Sequence, residues 1–132
     1  SGQDIHVWGQ GDGGSKNIKK HKNLNQHTEL PFLYSNAKVN LSIELLPASV
    51  HQRIMECVGC NGFILFEDKE DNDKCFDTYE KWSSLEELAD KTKYFVNNDS
   101  ERERIANLMH EEAKKKHDCH TRMEQMMTMI AG

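Results

Sequence analysis

The sequence predicts an α/β fold in which helices flank a mostly parallel sheet and the C-terminus is helical. Predicted strands and helices alternate along the first 84 residues, which is typical of βα units. The apolar run FILF, residues 63–66, is typical of a strand buried on both faces, as in parallel sheets. Beyond residue 84 only helical signals follow.

The N-terminal segment begins with a short strand, IHVWG, predicted over residues 5–9. A glycine-rich loop follows, and no period is evident up to Gln26. This loop lacks the G-x-G-x-x-G spacing of a dinucleotide-binding loop, so a flexible loop is the favoured interpretation. Residues 1–27 are therefore predicted to hold the first strand and a polar loop, and residues 28–132 the core of a single domain.

A short helix and a strand are predicted next. Thr28 is placed to cap the helix, and Pro31 lies in its first turn, where the missing N–H costs little. VNLSIEL, residues 39–45, alternates apolar and polar residues as a half-buried strand does.

The helix predicted over residues 49–60 is amphipathic. Ser49 is placed to cap this helix and Asn61-Gly62 to end it. From spacing alone, Arg53 and Glu56 are predicted to form a surface ion pair. The apolar face holds Val50, Ile54, Cys57 and Val58, and the polar face holds Ser49, Gln52, Arg53, Glu56 and Cys60.

The C-terminal part is predicted to hold one strand and three helices. TYEKW, residues 78–82, predicts the strand, and the capping box SLEE at residues 84–87 opens a helix. A second helix is predicted over residues 100–116, and a third after a turn at 117–120. Core packing is the favoured interpretation of the methionines in the third helix, and an adaptable partner-binding surface is the alternative. The residues predicted to face the core are Leu85, Leu88, Ala89, Thr92, Phe95 and Val96, then Ile105, Leu108, Met109 and Ala113, then Met123, Met126, Met127 and Ile130.

The composition of the 132-residue chain excludes several classes of protein. With 36% hydrophobic and 30% charged residues it is typical of a globular domain, and its net charge of −5 argues against nucleic-acid binding. No apolar run approaches the ~20 residues of a membrane span, and no secretory signal is present. Four cysteines do not form a disulfide framework, so a cytoplasmic location is predicted.

One edge of the predicted sheet has the features of a ligand site. Parallel α/β sheets bind ligands at the carboxyl ends of their strands, beside helix N-termini. The end of the strand over residues 39–45 and the helix start at Ser49 meet at such an edge. Free N–H groups and the helix dipole there favour an anion, typically phosphate.

The order of these segments resembles the C-terminal half of GT-B glycosyltransferases, specifically the group-1, CgeB-like (spore-maturation-type) family. LYSNAKVNLSI and RIMECVGCNGFILF match two motifs of that family, and the helical segment from SSLEEL to CHTR matches the remainder. The resemblance covers residues 28–122. It implies a partial Rossmann-like domain that binds a nucleotide-diphosphate sugar, within a hexosyltransferase that moves the sugar to an acceptor.

The resemblance also implies roles for individual residues. Glu56 would bind the ribose hydroxyls, and Arg53 with the helix start at Ser49 would bind the diphosphate; His51, in the first turn, is a further donor-site candidate. No metal cofactor is expected. The N-terminal acceptor domain and the first strand of the nucleotide domain are expected to be missing from this chain, so we expect it to be inactive alone.

Two alternatives remain open. The first is a non-catalytic interaction module that keeps the fold without donor binding. The second is a small zinc-binding protein that uses cysteines and histidines. A helical C-x-x-C places its two cysteines on different faces, which disfavours zinc. The residues of that site would be Cys57, Cys60, His117, Cys119 and His120.

Overall fold

A computed structural model of the chain describes residues 4–8, 17–43 and 50–132. The predicted α/β class is confirmed: the five strands of these ranges pair in parallel, and three helices close the chain. The predicted glycine-rich loop and Ser49 lie outside the described residues. The helices are α1 (Leu30–Asn36), α2 (Gln52–Gly59), α3 (Asn72–Cys75), α4 (Leu85–Asn97), α5 (Asp99–Lys116) and α6 (Cys119–Ala131).

The strands form two separate parallel sheets. In the first, β1 (Ile5–Trp8) pairs with β2 (Ile18–His21). The second has the order β3-β4-β5, with β3 at Asn40–Ser42, β4 at Ile64–Glu67 and β5 at Glu80–Trp82. Neither β2 nor α3 was predicted, because IKKH has no apolar alternation and four helical residues are too few to show a period.

The hydrophobic core is centred on β4. The side chains from Phe63 to Phe66 are at most 3% exposed, which confirms a strand buried on both faces. Helix α2 packs against this strand, and α5 packs against α2. Their fully or almost fully buried residues are Ile54, Cys57, Val58, Ile105, Ala106 and Met109.

Several predictions about the helices are wrong. Thr28 does not cap α1; its N–H donates to Asn25 Oδ1, and the helix begins two residues later. Leu85 and Leu108 were predicted to face the core, but they are 75% and 44% exposed, and Ala89 is exposed as well. Other residues of the same two helices pack in the core instead, among them Phe95 of α4 and Ile105 and Met109 of α5.

Helix α6 is exposed along almost its whole length. All residues from Arg122 to the end of the chain are exposed, including Met123, Met126, Met127 and Ile130. The prediction that these residues pack in the core is therefore wrong. No helix within the described ranges is both long enough and apolar enough to cross a membrane.

The turn between α2 and β4 lies in close contact with α1. Asn61 adopts a positive φ of 57°, and the Gly62 N–H donates to the Cys57 carbonyl over 2.9 Å. A Cβ at Gly62 would clash with the Tyr34 carbonyl oxygen and would lie 2.7 Å from Cys57 Sγ. Only glycine therefore fits at this position.

We predict that Gly62→Ala lowers the free energy of unfolding by about 1–3 kcal/mol, because the added methyl group overpacks a rigid junction. Urea denaturation followed by circular dichroism measures the effect. Gly59→Ala is the matched control: it lies in α2, and its Cβ would meet nothing within 4 Å. The control should be neutral or stabilising by up to about 1 kcal/mol, and an equal loss in both variants would contradict the prediction.

Candidate functional site

The candidate site lies where α2 begins, at the carboxyl-end edge of the three-stranded sheet. Strands β3 and β4 are parallel, so the helix that connects them runs antiparallel to both. Its N-terminus therefore lies beside the carboxyl end of β3, where ligands of such sheets bind. We therefore take this end of α2 as the candidate site.

His51 caps α2; Ser49, which the sequence predicts as the cap, lies outside the described residues. The helix begins at Gln52, and His51 Nδ1 accepts a hydrogen bond from the Arg53 N–H over 3.1 Å. Because Nδ1 accepts, the proton of the neutral ring lies on Nε2. That group has no partner among the described residues, so it is available to donate to a ligand. The Gln52 N–H likewise has no partner in the described part of the chain.

Glu56 is half-buried between α1 and α2, and both of its oxygens are held. Gln52 Nε2 donates to Oε1 over 2.7 Å, and the Tyr34 hydroxyl donates to Oε2 over 3.3 Å. Burial and, next, the negative charge of Glu56 raise the pKa of Tyr34 to about 12. The hydroxyl therefore keeps its proton at neutral pH and remains a donor.

The Arg53 side chain is exposed, and its guanidinium has no hydrogen-bond or ion-pair partner among the residues described. The ion pair predicted between Arg53 and Glu56 is not formed. The positive charge of Arg53 lowers the pKa of Tyr34, which partly offsets the rise caused by burial and by Glu56. The site thus combines a cation that is unpaired among the described residues with a positioned carboxylate one turn further along the same helix.

The structure brings together His51, Arg53 and Glu56 on two turns of α2; Ser49 is outside the described residues. Sequence analysis missed Tyr34 and Gln52. Gln52 stands four residues before Glu56, a spacing at which helical side chains meet, and that signal was available. Tyr34 gave only a general signal, since a buried tyrosine usually finds a partner for its hydroxyl.

The zinc alternative has no site in the described ranges, where no group of three or more suitable side chains is found. Cys57 is fully buried, and burial raises the pKa of its thiol, which opposes the thiolate form that binds metal. His117 uses both ring nitrogens: Nε2 donates to the Cys75 carbonyl over 2.6 Å, and Nδ1 accepts from Arg122 over 2.5 Å. Neither nitrogen is free for a metal ion.

Two surface cavities lie away from this site. One, of about 400 Å³, lies between the end of α1 and α5 and is lined by Lys38, Asn61 and Arg102 among others. The other, of about 550 Å³, lies between α2, α5 and the start of α6 and is lined mainly by apolar surface. Arg53 and Glu56 line neither cavity. The side chains of α2 therefore define the candidate site, rather than an enclosed cavity.

Comparison with known proteins identifies the family of this chain. A family model described as Glycosyl transferase-like matches residues 1–128, which is almost the whole chain. No curated protein and no solved structure matches the chain. The matched region includes β3, α2 and β4, and hence the candidate site.

We predict that His51→Ala lowers the free energy of unfolding by about 0.5–2 kcal/mol, the usual range for loss of a side-chain cap. His51→Asn, which keeps an acceptor, should recover most of this loss. Urea denaturation followed by circular dichroism provides the measurement. Should Ser49→Ala cost more stability than His51→Ala, Ser49 would be the more important cap.

Proposed function

We propose that the chain, which belongs to the glycosyl transferase-like family, binds the nucleotide-diphosphate sugar that such a transferase uses as donor. The observation that carries the proposal is the pair of charged groups on α2: the Arg53 guanidinium, which has no partner in the described part of the chain, and the hydrogen-bonded carboxylate of Glu56. Both lie at the carboxyl-end edge of a parallel sheet, within the region that matches the family.

The diphosphate is assigned to the first turn of α2. A planar guanidinium donates two parallel hydrogen bonds to phosphate oxygens, and Arg53 has all its donors free among the described residues. The His51 Nε2–H and the Gln52 N–H are further donors at the positive end of the helix dipole. An anion can therefore bind these donors without breaking an ion pair among the described residues.

The ribose is assigned to Glu56. A carboxylate accepts from two hydroxyl groups at once, as a ribose diol requires. Glu56 is three positions after Arg53, a rise of about 4.5 Å along the helix axis. A ribose and the phosphate attached to it can span that distance.

Negative charge develops on the nucleoside diphosphate as the bond to the sugar breaks. A fixed cation beside the leaving group stabilises this charge more in the transition state than in the ground state. We assign this role to Arg53 and the N-terminal end of α2. The proposal requires no bound metal for it.

The finer classification is also part of the proposal. We place the chain with the C-terminal, donor-binding half of GT-B enzymes of the CgeB-like type, acting as hexosyltransferases. In such an enzyme the acceptor would bind to a second, N-terminal domain. A cytoplasmic location fits the four cysteines, which are all free thiols.

A second candidate function is that of an interaction module without donor binding. One observation favours it: five large apolar side chains of α6 are exposed, at 57–79%. Methionine adapts to irregular partner surfaces, which suits such a role. The five residues are Met123, Met126, Met127, Met129 and Ile130.

We predict that UDP or GDP, with or without an attached sugar, shifts the amide NMR signals of residues 50–56. The shifts should saturate at a micromolar to millimolar ligand concentration. Arg53→Ala and Glu56→Gln should each weaken binding about tenfold, as expected for one hydrogen bond to a charged group. The ligand titrations give both the site and the affinity.

Arg104→Ala and Glu111→Gln are the matched controls for this experiment. Both residues lie on α5 and form ion pairs within that helix, with Glu101 and Lys114. These variants should bind as the wild type does. No response of the wild type to millimolar ligand would reject donor binding and favour the interaction module.

A further inference from the structure

The Glu56 carboxylate has a hydrogen-bond arrangement suited to a diol. A carboxylate has about four acceptor positions, two on each oxygen. One position on Oε1 is taken by Gln52, and one on Oε2 by Tyr34. Each oxygen therefore keeps one position, and the two that remain match the two hydroxyl groups of a ribose.

Tyr34 is held in place by the core, whereas Gln52 is exposed. The Tyr34 side chain is 6% exposed, and its carbonyl accepts from Asn40 Nδ2 over 3.1 Å. The same carbonyl lies against Gly62, where a side chain would not fit. Packing therefore sets the position of the Tyr34 side chain, whose hydroxyl lies beside the Glu56 carboxylate.

We infer that Tyr34 is a positioning residue of the donor site, which holds the Glu56 carboxylate so that both oxygens face the ribose and ribonucleotides are selected over 2′-deoxyribonucleotides. This inference rests on the proposed function. Ordinarily an O–H···O bond is 2.5–3.0 Å long, so the 3.3 Å bond from Tyr34 is weak in the free protein. Such bonds often shorten when a ligand binds.

The test uses Tyr34→Phe, which removes only the hydroxyl. The nucleoside diphosphate that binds wild type most tightly among UDP, GDP and ADP is compared with its 2′-deoxy counterpart by calorimetric titration. The wild type should prefer the ribonucleotide by about tenfold, the effect of one hydrogen bond to a charged group. Tyr34→Phe should weaken ribonucleotide binding about three- to tenfold, so that the ribonucleotide and its 2′-deoxy counterpart bind with nearly equal affinity.

Tyr94→Phe is the matched control. Tyr94 is exposed on α4, and its hydroxyl has no hydrogen-bond partner among the described residues. This variant should keep both the affinity and the ribonucleotide preference of the wild type. Gln52→Ala removes the other donor to Glu56 and should lower the preference in the same direction, which keeps the test decisive if Tyr34→Phe folds poorly.

The outcomes separate this inference from the proposed function. If Tyr34→Phe weakens both ligands equally, Tyr34 is only structural and the inference fails. If the variant keeps the wild-type affinity and preference, the inference fails while donor binding stands. A wild type that binds nucleoside diphosphates without preferring ribose also overturns it. A wild type that binds none of them overturns the proposed function and this inference together.

Discussion

The packing of the α2–β4 turn against α1 is the constraint on which the candidate site depends. Gly62 lets the turn approach the Tyr34 carbonyl, and Asn40 Nδ2 donates both to that carbonyl and to the Phe63 carbonyl, over 3.1 and 3.0 Å. The end of α1 and the beginnings of β3 and β4 are thus joined at one point. Because interiors are close-packed, a shift there moves every neighbour. The Tyr34 hydroxyl, and through it Glu56, takes its position from this junction.

Arg53 forms no ion pair with Glu56 because of the order of the two charges along the helix. Four ion pairs three residues apart form among the described residues, and in all four the acid precedes the base, as in Glu101–Arg104. This order is the favoured one because it agrees with the helix dipole. On α2 the base precedes the acid, and Tyr34 and Gln52 occupy the carboxylate instead. The cation therefore stays available, which is what a phosphate site requires.

Short sequence patterns correctly predicted features that depend only on neighbouring residues. The apolar run at β4 is buried, and Ser84 accepts from the Glu87 N–H over 3.1 Å, as the capping box predicts. Other features depend on distant contacts. Tyr34 and Glu56 are 22 residues apart, so no helical spacing could reveal their hydrogen bond. His51 caps α2 although serine is the commoner cap, because the cap is the residue at which the chain turns from extended to helical backbone.

The exposed methionines of α6 and the polar face of α2 belong to different helices, so each surface can be altered without changing the other. An isolated helix of 13 residues is marginal in water, and α6 has that length with no buried residue. Its apolar face is therefore better explained by contact with another surface than by the described core. The proposed donor site, in contrast, involves α2 and the core residue Tyr34 and no residue of α6. A substitution on α6 would thus leave Tyr34 and Glu56 in place, whereas one at the Gly62 junction would disturb both.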